Sequence, residues 1–558
     1  MWNKTTADKI KRAWIILVCL AAFFVNNEVI TPDIMESRNI ITAREMVYDG
    51  HWMVPTMNGD LRLEKPPLPT WLTALAELAV PDSLALQRGM AGLAALLLVF
   101  YFWRFAQRVL RIDPFIPTLL LCTCYNIILM GRTASWDIYC HAFMMGGIYH
   151  LTLALSARHH LLWRHFLVAG LFTGLSILSK GPVSLYALFL PFLISYGRYY
   201  RPSLRGKGLA VALTAVVAIV LGTWWFAYVH MAEAEALQAV VEKESGSWMN
   251  HNVRPWWYYW KFFLETGVWS LLLLTAMLLP LADRQRRRSR RWLFSMGWML
   301  ASLLLLSLMP EKKSRYLLPL LIPASYVMGC LVVEWQRVFG KVSRTSSTSH
   351  VSNAYNASSA DKWCFRINTG LVALVIAAIP VVAWVALIRP GYLSTGYWAL
   401  YAVVALAIAL YLLRATIQLR PMALLGGVSL LFFAAECLVM PKLGSIINNP
   451  DSHSIAATRQ VKELEGIPFC HLDSVPLRIE LVYAAHRHIR PVSADSLRKK
   501  LPCALLTHRP LSETLPDSCL TGINALPIGC YDDNPRPKGN RRYSDEFIYH
   551  VTLLTESH

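Results

Sequence analysis

Thirteen apolar blocks, most of them near the length that crosses a bilayer, punctuate the first 440 residues of this 558-residue chain. They fall near 13–31, 84–103, 114–131, 138–157, 165–179, 183–197, 208–229, 264–282, 292–309, 316–335, 368–388, 396–413 and 422–440. A large soluble core would distribute its apolar residues in short periodic runs, and it would carry about 25% charged residues. Here only 16% are charged and 55% are hydrophobic. The excess of 54 Lys and Arg over 35 Asp and Glu does not mark a nucleic-acid binder, because the basic residues lie between apolar blocks rather than on one amphipathic face. The chain is therefore expected to be an all-α polytopic membrane protein of about thirteen spans.

The first block follows a basic start (Lys4, Lys9, Lys11, Arg12), but no small-residue cleavage pattern comes after it. This favours an uncleaved first span over a signal peptide. With the N-terminus cytoplasmic, inside segments hold about twice as many Lys and Arg as the short outside segments. The densest is RQRRRSRR at 284–291. Thirteen spans then leave residues 441–558 outside. This tail is polar and Pro-rich, with short mixed runs such as IELVYAA and FIYHVTLL, and it reads as a small extracytoplasmic α+β domain. The expected division is a membrane domain over 1–440 with external loops 32–83 and 230–263, a Ser/Thr-rich cytoplasmic linker over 343–362, and the domain 441–558. Cys470, Cys503, Cys519 and Cys530 lie in the tail without metal-type spacing, so structural disulfides are favoured over a metal site.

The first external loop reads PDIMESRNIITAREMVYDGHWMVPTMNGDLRLEKPPLPTW. Residues 36–48 have helical spacing of apolar positions and read as an amphipathic helix at the membrane surface. Asp49-Gly50 ends that helix and Asn58-Gly59 makes a turn. The segment 69–80 is too short to span and reads as an interfacial helix.

Taken together, Glu36 with Arg38, Arg44-Glu45-Met46, Gly50-x-Trp52-x-x-Pro55, Asn58-Gly59 and Glu64-Lys65-Pro66-Pro67-Leu68 resemble the bacterial branch of the GT-C glycosyltransferases, the aminoarabinose transferase (ArnT) and protein mannosyltransferase group. The resemblance continues through Asp137, Ser179-Lys180-Gly181 and Arg315-Tyr316-Leu317-Leu318-Pro319. It implies a GT-C fold and an inverting enzyme of the bacterial inner membrane. The donor would be a sugar on polyprenyl phosphate, entering from the membrane lipids. The acceptor would be lipid A, favoured here, or a protein or glycan hydroxyl. Nucleic acid has no part in this reading.

Each candidate residue has its own physical case. A carboxylate at Glu64 can hold a divalent metal ion, with His251 as the external histidine placed to join it, while Lys65 can meet a phosphate as a point charge. The plain alternative is a solvated Glu64–Lys65 ion pair. Arg38 matches a family arginine near the active centre, and Arg254 is a second candidate phosphate contact. The family aspartate expected before Glu36 is replaced by Met35. Asp33 or Glu36 would then be the base, or none is needed if the acceptor is already an anionic phosphate. Asp137 is either a cavity carboxylate or a helix cap. Lys180, Lys313 and Tyr316 lie at external span ends, as substrate contacts or as snorkelling anchors. The rival class, a transporter of lipid-linked sugars, requires paired intramembrane charges and related halves, and the sequence shows neither.

Overall fold

The computed structural model describes residues 4–157, 162–342, 358–389, 391–449, 452–541 and 543–557. Among these residues, nine helices are long and apolar enough to cross a membrane. Helices α1 (Lys4–Phe23), α2 (Ile34–Tyr48) and α3 (Leu68–Ala79) come first, and only α4 (Leu84–Leu110) begins the nine. The apolar block near 114–131 is cut into α5 (Phe115–Cys122) and α6 (Tyr125–Gly131). At the break the Thr123 hydroxyl donates to Leu119 O at 2.7 Å and accepts the indole N–H of Trp269 at 2.8 Å. Then follow α7 (Asp137–Ser156), α8 (Trp163–Lys180), α9 (Leu190–Tyr200), α10 (Gly208–Ala232) and α11 (Ala234–Asn250). The remaining spans are α12 (Trp256–Ala282), α13 (Arg290–Leu308), α14 (Ser314–Gly340), α15 (Ser359–Ile388), α16 (Thr395–Gln418) and α17 (Pro421–Gly444). Four of the thirteen apolar blocks thus form helices that are shorter, broken or more charged than the nine. Residues 343–357 of the expected linker lie outside the described residues, whereas Ser358 already caps α15 by accepting the Asp361 N–H.

The chain divides into two compact units. The first comprises residues 1–27, 64–69 and 88–439. Its helices pack closely where glycine allows it. A Cβ on Gly147 of α7 would lie 2.7 Å from the Thr173 hydroxyl of α8, and one on Gly222 of α10 would lie 2.7 Å from Ile177. Such small-residue faces let backbones approach in a membrane, where no hydrophobic drive separates helix from lipid. Phe102 and Tyr326 stack at 4.0 Å beside Phe105 and Trp298 in the buried centre. The sequence shows no paired charges within the spans, but the fold contains them. Arg132 meets Glu436 of α17 at 2.8 Å while donating to the carbonyls of Ala21, Ala22, Val25 and Asn26 at the end of α1. Four carbonyl contacts mark this arginine as a structural tie.

The second unit comprises residues 28–63, 70–87 and 440–558. Its centre is a five-stranded mixed sheet of β3 (Phe469–Leu472), β4 (Ile489–Val492), β5 (Cys503–Thr507), β6 (Ile523–Asp532) and β7 (Ile548–Glu556), in the order β4-β3-β5-β7-β6. The parallel pairs β3/β4 and β3/β5 are set by Phe469, which registers with Ile489 and Ala504. The short helix α18 (Ile479–Ala485) connects β3 to β4 and packs on α2. A hairpin of β1 (Thr56–Met57) and β2 (Asp60–Leu61) turns through Asn58-Gly59, both with left-handed backbone (φ 56° and 73°). That geometry is why Asn-Gly occurs there. A Gly59 Cβ would also collide with the Arg490 guanidinium. Asn58 in turn exchanges two 2.8 Å hydrogen bonds with the Ile489 backbone.

Two expectations need correction. Helix α2 ends at Asp49-Gly50 as read, but it is buried on nearly every side rather than lying amphipathically on a surface. Ile41 joins the core of the sheet domain, and Ala43 and Met46 pack on Ala74 of α3. Several of its polar residues are tolerated inside because they find partners: Asn39 bonds Thr70 and Thr73, and Arg44 bonds Tyr483 O and Asp82. The tail cysteines are free thiols rather than disulfides. Cys470 and Cys503 are buried on neighbouring strands, where hydrogen bonding from Cys503 lowers the Cys470 pKa. Cys530 is exposed on β6, with its sulfur 3.8 Å from His550 Nε2.

Candidate active site

In the membrane unit, Asp137 is the first residue of α7 and Lys180 the last of α8. Gly181 follows with φ 69° and ψ −149°, a conformation open to glycine, so the Ser-Lys-Gly sequence turns the chain where the lysine must point. The Lys180 ammonium pairs with Asp137 Oδ1, and the two side chains are only 10% and 4% exposed. Lys180 Nζ lies 5.2 Å from the centre of the Tyr316 ring, and Lys313 Nζ and the Arg315 guanidinium each lie 5.7 Å from it. The Tyr316 hydroxyl donates to Glu311 at 3.2 Å, and Lys313 pairs with the same carboxylate at 2.5 Å. Three cations thus face two carboxylates around one aromatic ring, leaving an excess positive charge suited to an anion. Beside the cluster, His141 Nδ1 and the Tyr139 hydroxyl are buried without a hydrogen-bond partner among the described residues.

The 311–316 segment is fixed by the residues just before α12. Val253 bridges Glu311, the Arg254 N–H donates to Pro310 O at 3.2 Å, and Lys312 Nζ donates to Arg254 O at 3.0 Å. Burial lowers the pKa of Lys312 from its ordinary value. Arg254 and His251 are both exposed on this loop.

Glu64 and Lys65 sit opposite α11 with crossed partners. Lys65 Nζ donates to Glu244 at 3.0 Å, and Lys243 approaches Glu64 Oε1 at 4.0 Å. The other Glu64 oxygen, Oε2, is buried with no hydrogen-bond partner among the described residues. A buried carboxylate oxygen left without a donor fits a cation ligand. Among the described residues, no hydrogen bond or ion pair joins His251 to Glu64.

In the second unit, Asp33 caps α2, its Oδ1 accepting from the Met35 and Glu36 N–H groups at 2.8 and 2.9 Å. Glu36 is buried on the first turn, and Arg38 Nε is buried without a partner among the described residues. Among the described residues, two groups in this unit could hold a metal ion: Glu45, Asp49 and His488, and Glu77, Asp82 and His486. The first is also a plain ion-pair network. His488 lies 3.4 Å from Glu45 and 3.2 Å from Asp49. Its hydrogen bond to Glu45 raises the His488 pKa. For Glu45, burial pushes the pKa upward, but hydrogen bonds from His488, Thr56 and Gly59 outweigh it and hold the carboxyl low.

A family model for dolichyl-phosphate-mannose-protein mannosyltransferase matches residues 64–226, the segment that opens with Glu64 and Lys65 and contains Asp137 and Lys180. The undecaprenyl phosphate-α-4-amino-4-deoxy-L-arabinose arabinosyl transferase of Pseudomonas aeruginosa (strain LESB58) is 26% identical over 406 residues, which is 68% of this chain and 66% of the relative. The enzyme of the same name from Serratia proteamaculans is 24% identical over 59% of the chain and 62% of its own length. The chain thus spans slightly under two thirds of these relatives. Its fold is similar to crystal structures of ArnT from Cupriavidus metallidurans, one bound to undecaprenyl phosphate and one in the apo state. The TM-scores are 0.65 and 0.63 at 16% identity, covering 98–99% of this chain and 98% of each of those. The chain is thus similar in sequence to ArnT and to the protein mannosyltransferases, and it shares the ArnT fold.

The sequence found Lys180, Lys313 and Tyr316 one by one, and the fold brings them together with Asp137. It did not find Glu311, Lys243 or Glu244, the groups that set the charge of the candidate site. The first had a signal, since EKKSRY concentrates charge between two apolar blocks. The other two had none, because Lys65 and Glu244 are 179 residues apart.

Proposed function

We propose that the chain is an integral-membrane glycosyltransferase that moves a sugar from a polyprenyl-phosphate donor to an acceptor at the outer face of the bacterial inner membrane. In this reading the N-terminus is cytoplasmic and domain 441–558 periplasmic. The observation that carries it is the buried Asp137–Lys180 pair ringed by Lys313, Arg315 and Tyr316, a positively biased site at the ends of spans. As the sugar's C1 bond to the donor breaks, charge builds on the departing phosphate, and fixed cations lower the barrier by meeting it there. Lys65, Arg38 and Arg254 are assigned to that phosphate, and Lys180, Lys313 and Tyr316 to the substrate cavity.

The acceptor follows from proton chemistry. A lipid A phosphate is already anionic and attacks without a base, which suits a chain carrying Met35 before Glu36 and an Asp33 engaged as a helix cap. A protein or glycan hydroxyl must lose its proton to Asp33, Glu36 or Asp137, and the match to the mannosyltransferase model supports this second reading. Glu64, whose Oε2 lacks a donor, would hold a divalent ion with His251. Such an ion would supply Lewis-acid neutralisation of phosphate charge.

The purified full chain, assayed with undecaprenyl-phosphate-linked aminoarabinose against lipid A and peptide acceptors, tests this directly. Transfer to lipid A supports the ArnT-like reading, and transfer to peptide supports the second. Movement of the lipid-linked sugar across the bilayer without any transfer overturns both. A Glu64→Gln variant that keeps full activity removes the metal role alone.

A further inference from the structure

At the far ends of the spans that carry Asp137 and Lys180, the membrane unit forms an open cavity of about 800 Å³. Six arginines line it: Arg108 in the last turn of α4 and Arg111 just after it, Arg201 and Arg205 after α9, and Arg290 and Arg291 at the start of α13. No lining residue is acidic, and none of the six forms an ion pair among the described residues. Lys207 also lines the cavity, but its ammonium is taken up by the carbonyls of Ala154, Leu155 and Ala157, at 3.3, 2.6 and 2.7 Å. That contact closes the end of α7 and leaves the arginines facing the opening. Arg111 and Arg201 hold left-handed backbone (φ 54° and 47°), a cost for a non-glycine residue that the fold accepts at two points of one rim.

Ordinary anchoring by positive residues accounts for arginines scattered around a membrane edge. It does not account for six converging on one cavity from three separate chain segments. Like charges brought together in this way favour a polyanion between them, the more so beside low-dielectric walls. The cavity is also amphiphilic. Val109, Leu110, Leu153 and Leu155 supply apolar lining, the Tyr196 and Ser156 hydroxyls lie 3.0 Å apart, and Arg290 stacks 3.9 Å over the Tyr200 ring. Its depth is set by α7, whose first residue is Asp137 and whose last, Ser156, lines the cavity. Twenty residues at 1.5 Å each separate the two by about 30 Å, the thickness of the hydrocarbon layer.

We propose that this cavity is a binding site for a phosphate-bearing polyanion, a lipid headgroup or a soluble phosphate ester, at the membrane face opposite the candidate active site. The site is independent of the transfer reaction.

The test uses the full chain in phosphatidylcholine nanodiscs, with and without a minor fraction of cardiolipin, and separately with inorganic pyrophosphate. Thermal stability and lipid retained in native mass spectrometry are the readouts. One variant carries Arg201→Gln, Arg205→Gln, Arg290→Gln and Arg291→Gln. A control of equal charge carries Arg287→Gln, Arg288→Gln, Arg414→Gln and Arg420→Gln, all exposed and none lining the cavity. Wild type and control should retain cardiolipin and gain stability from it. The cavity variant should bind roughly six-hundredfold more weakly, at about fivefold for each of its four arginines. Stabilisation by pyrophosphate without cardiolipin would identify the soluble ester as the source. Equal loss in variant and control, or no effect of either anion on wild type, overturns the proposal. Should the quadruple variant unfold in plain phosphatidylcholine, the single exposed change Arg205→Glu gives the same reading.

Discussion

Removing the Lys180 ammonium while keeping its stem, as Lys180→Met, isolates the charge pair that organises the candidate site. With side chains 10% and 4% exposed, solvent screens this pair little. At a contact separation of about 3 Å and an effective dielectric of about 20, the attraction is about 5 kcal/mol, and most of it offsets the cost of taking two charges out of water. The net worth of the intact pair is therefore small, but the variant leaves Asp137 buried and uncompensated, which costs about 3–5 kcal/mol. Asp137→Asn should cost less, because Lys180 keeps the Tyr316 ring as a cation–π partner worth about 1 kcal/mol. The double variant should recover much of the loss, giving a coupling of about 2–3 kcal/mol. Unfolding of the full chain in mixed micelles titrated with dodecyl sulfate, followed by tryptophan fluorescence, measures all four corners of the cycle. A Lys180→Met cost below about 1 kcal/mol, with no coupling, would mean the pair is solvated and would refute the reasoning.

Gly181→Ala should cost about 1–3 kcal/mol by the same titration, since φ 69° with ψ −149° strains any side chain even though a Cβ there meets no atom. Asn58→Ala strands both the Ile489 N–H and C=O and should cost about 1–3 kcal/mol for each, seen as faster amide exchange along β4. Hydrogen bonding to Glu45 raises the His488 pKa, so its contribution to stability is full below the unfolded histidine value and is lost as pH rises through the raised folded value. Glu45 is depressed, so its contribution is full above the unfolded carboxyl value and is lost as pH falls through the lowered one. The stability difference between wild type and His488→Gln should therefore peak between about pH 4.5 and 6.5 and shrink on both sides, and a flat difference would contradict the pairing.

How much of this was legible from sequence depends on the distance over which each feature is decided. Spans are decided by length and apolarity alone, so among the described residues nine of thirteen blocks appear as full crossing helices. The end of α2 at Asp49-Gly50 and the Asn58-Gly59 hairpin are decided within four residues by backbone conformation, and both formed where read. What the pattern misread was decided at long range. Helix α2 carries Arg44, Glu45 and Asn39 on what a surface helix would leave in water, and only partners such as Tyr483, 439 residues away, make their burial tolerable. The tail cysteines had spacing but no strand assignment, so the sequence could not show that Cys470 and Cys503 occupy neighbouring strands while Cys519 and Cys530 do not join them.

The candidate site divides along the same line. Glu64, Lys65, Asp137 and Lys180 stand in short motifs because local chain geometry must aim each of them: Pro66 and Pro67 for the first pair, the helix start for Asp137 and Gly181 for Lys180. Their countercharges, Glu244, Lys243 and Glu311, need only reach the site from another segment, and many sequences on a helix or loop would do that. A motif therefore reports the groups whose direction is constrained, whereas the partners that set the charge around them are visible only in the fold. The same reasoning separates the two faces of the membrane unit. The arginines of the opposite cavity belong to no motif, because a phosphate-sized anion is held by the sum of several long flexible side chains and not by the aim of any one.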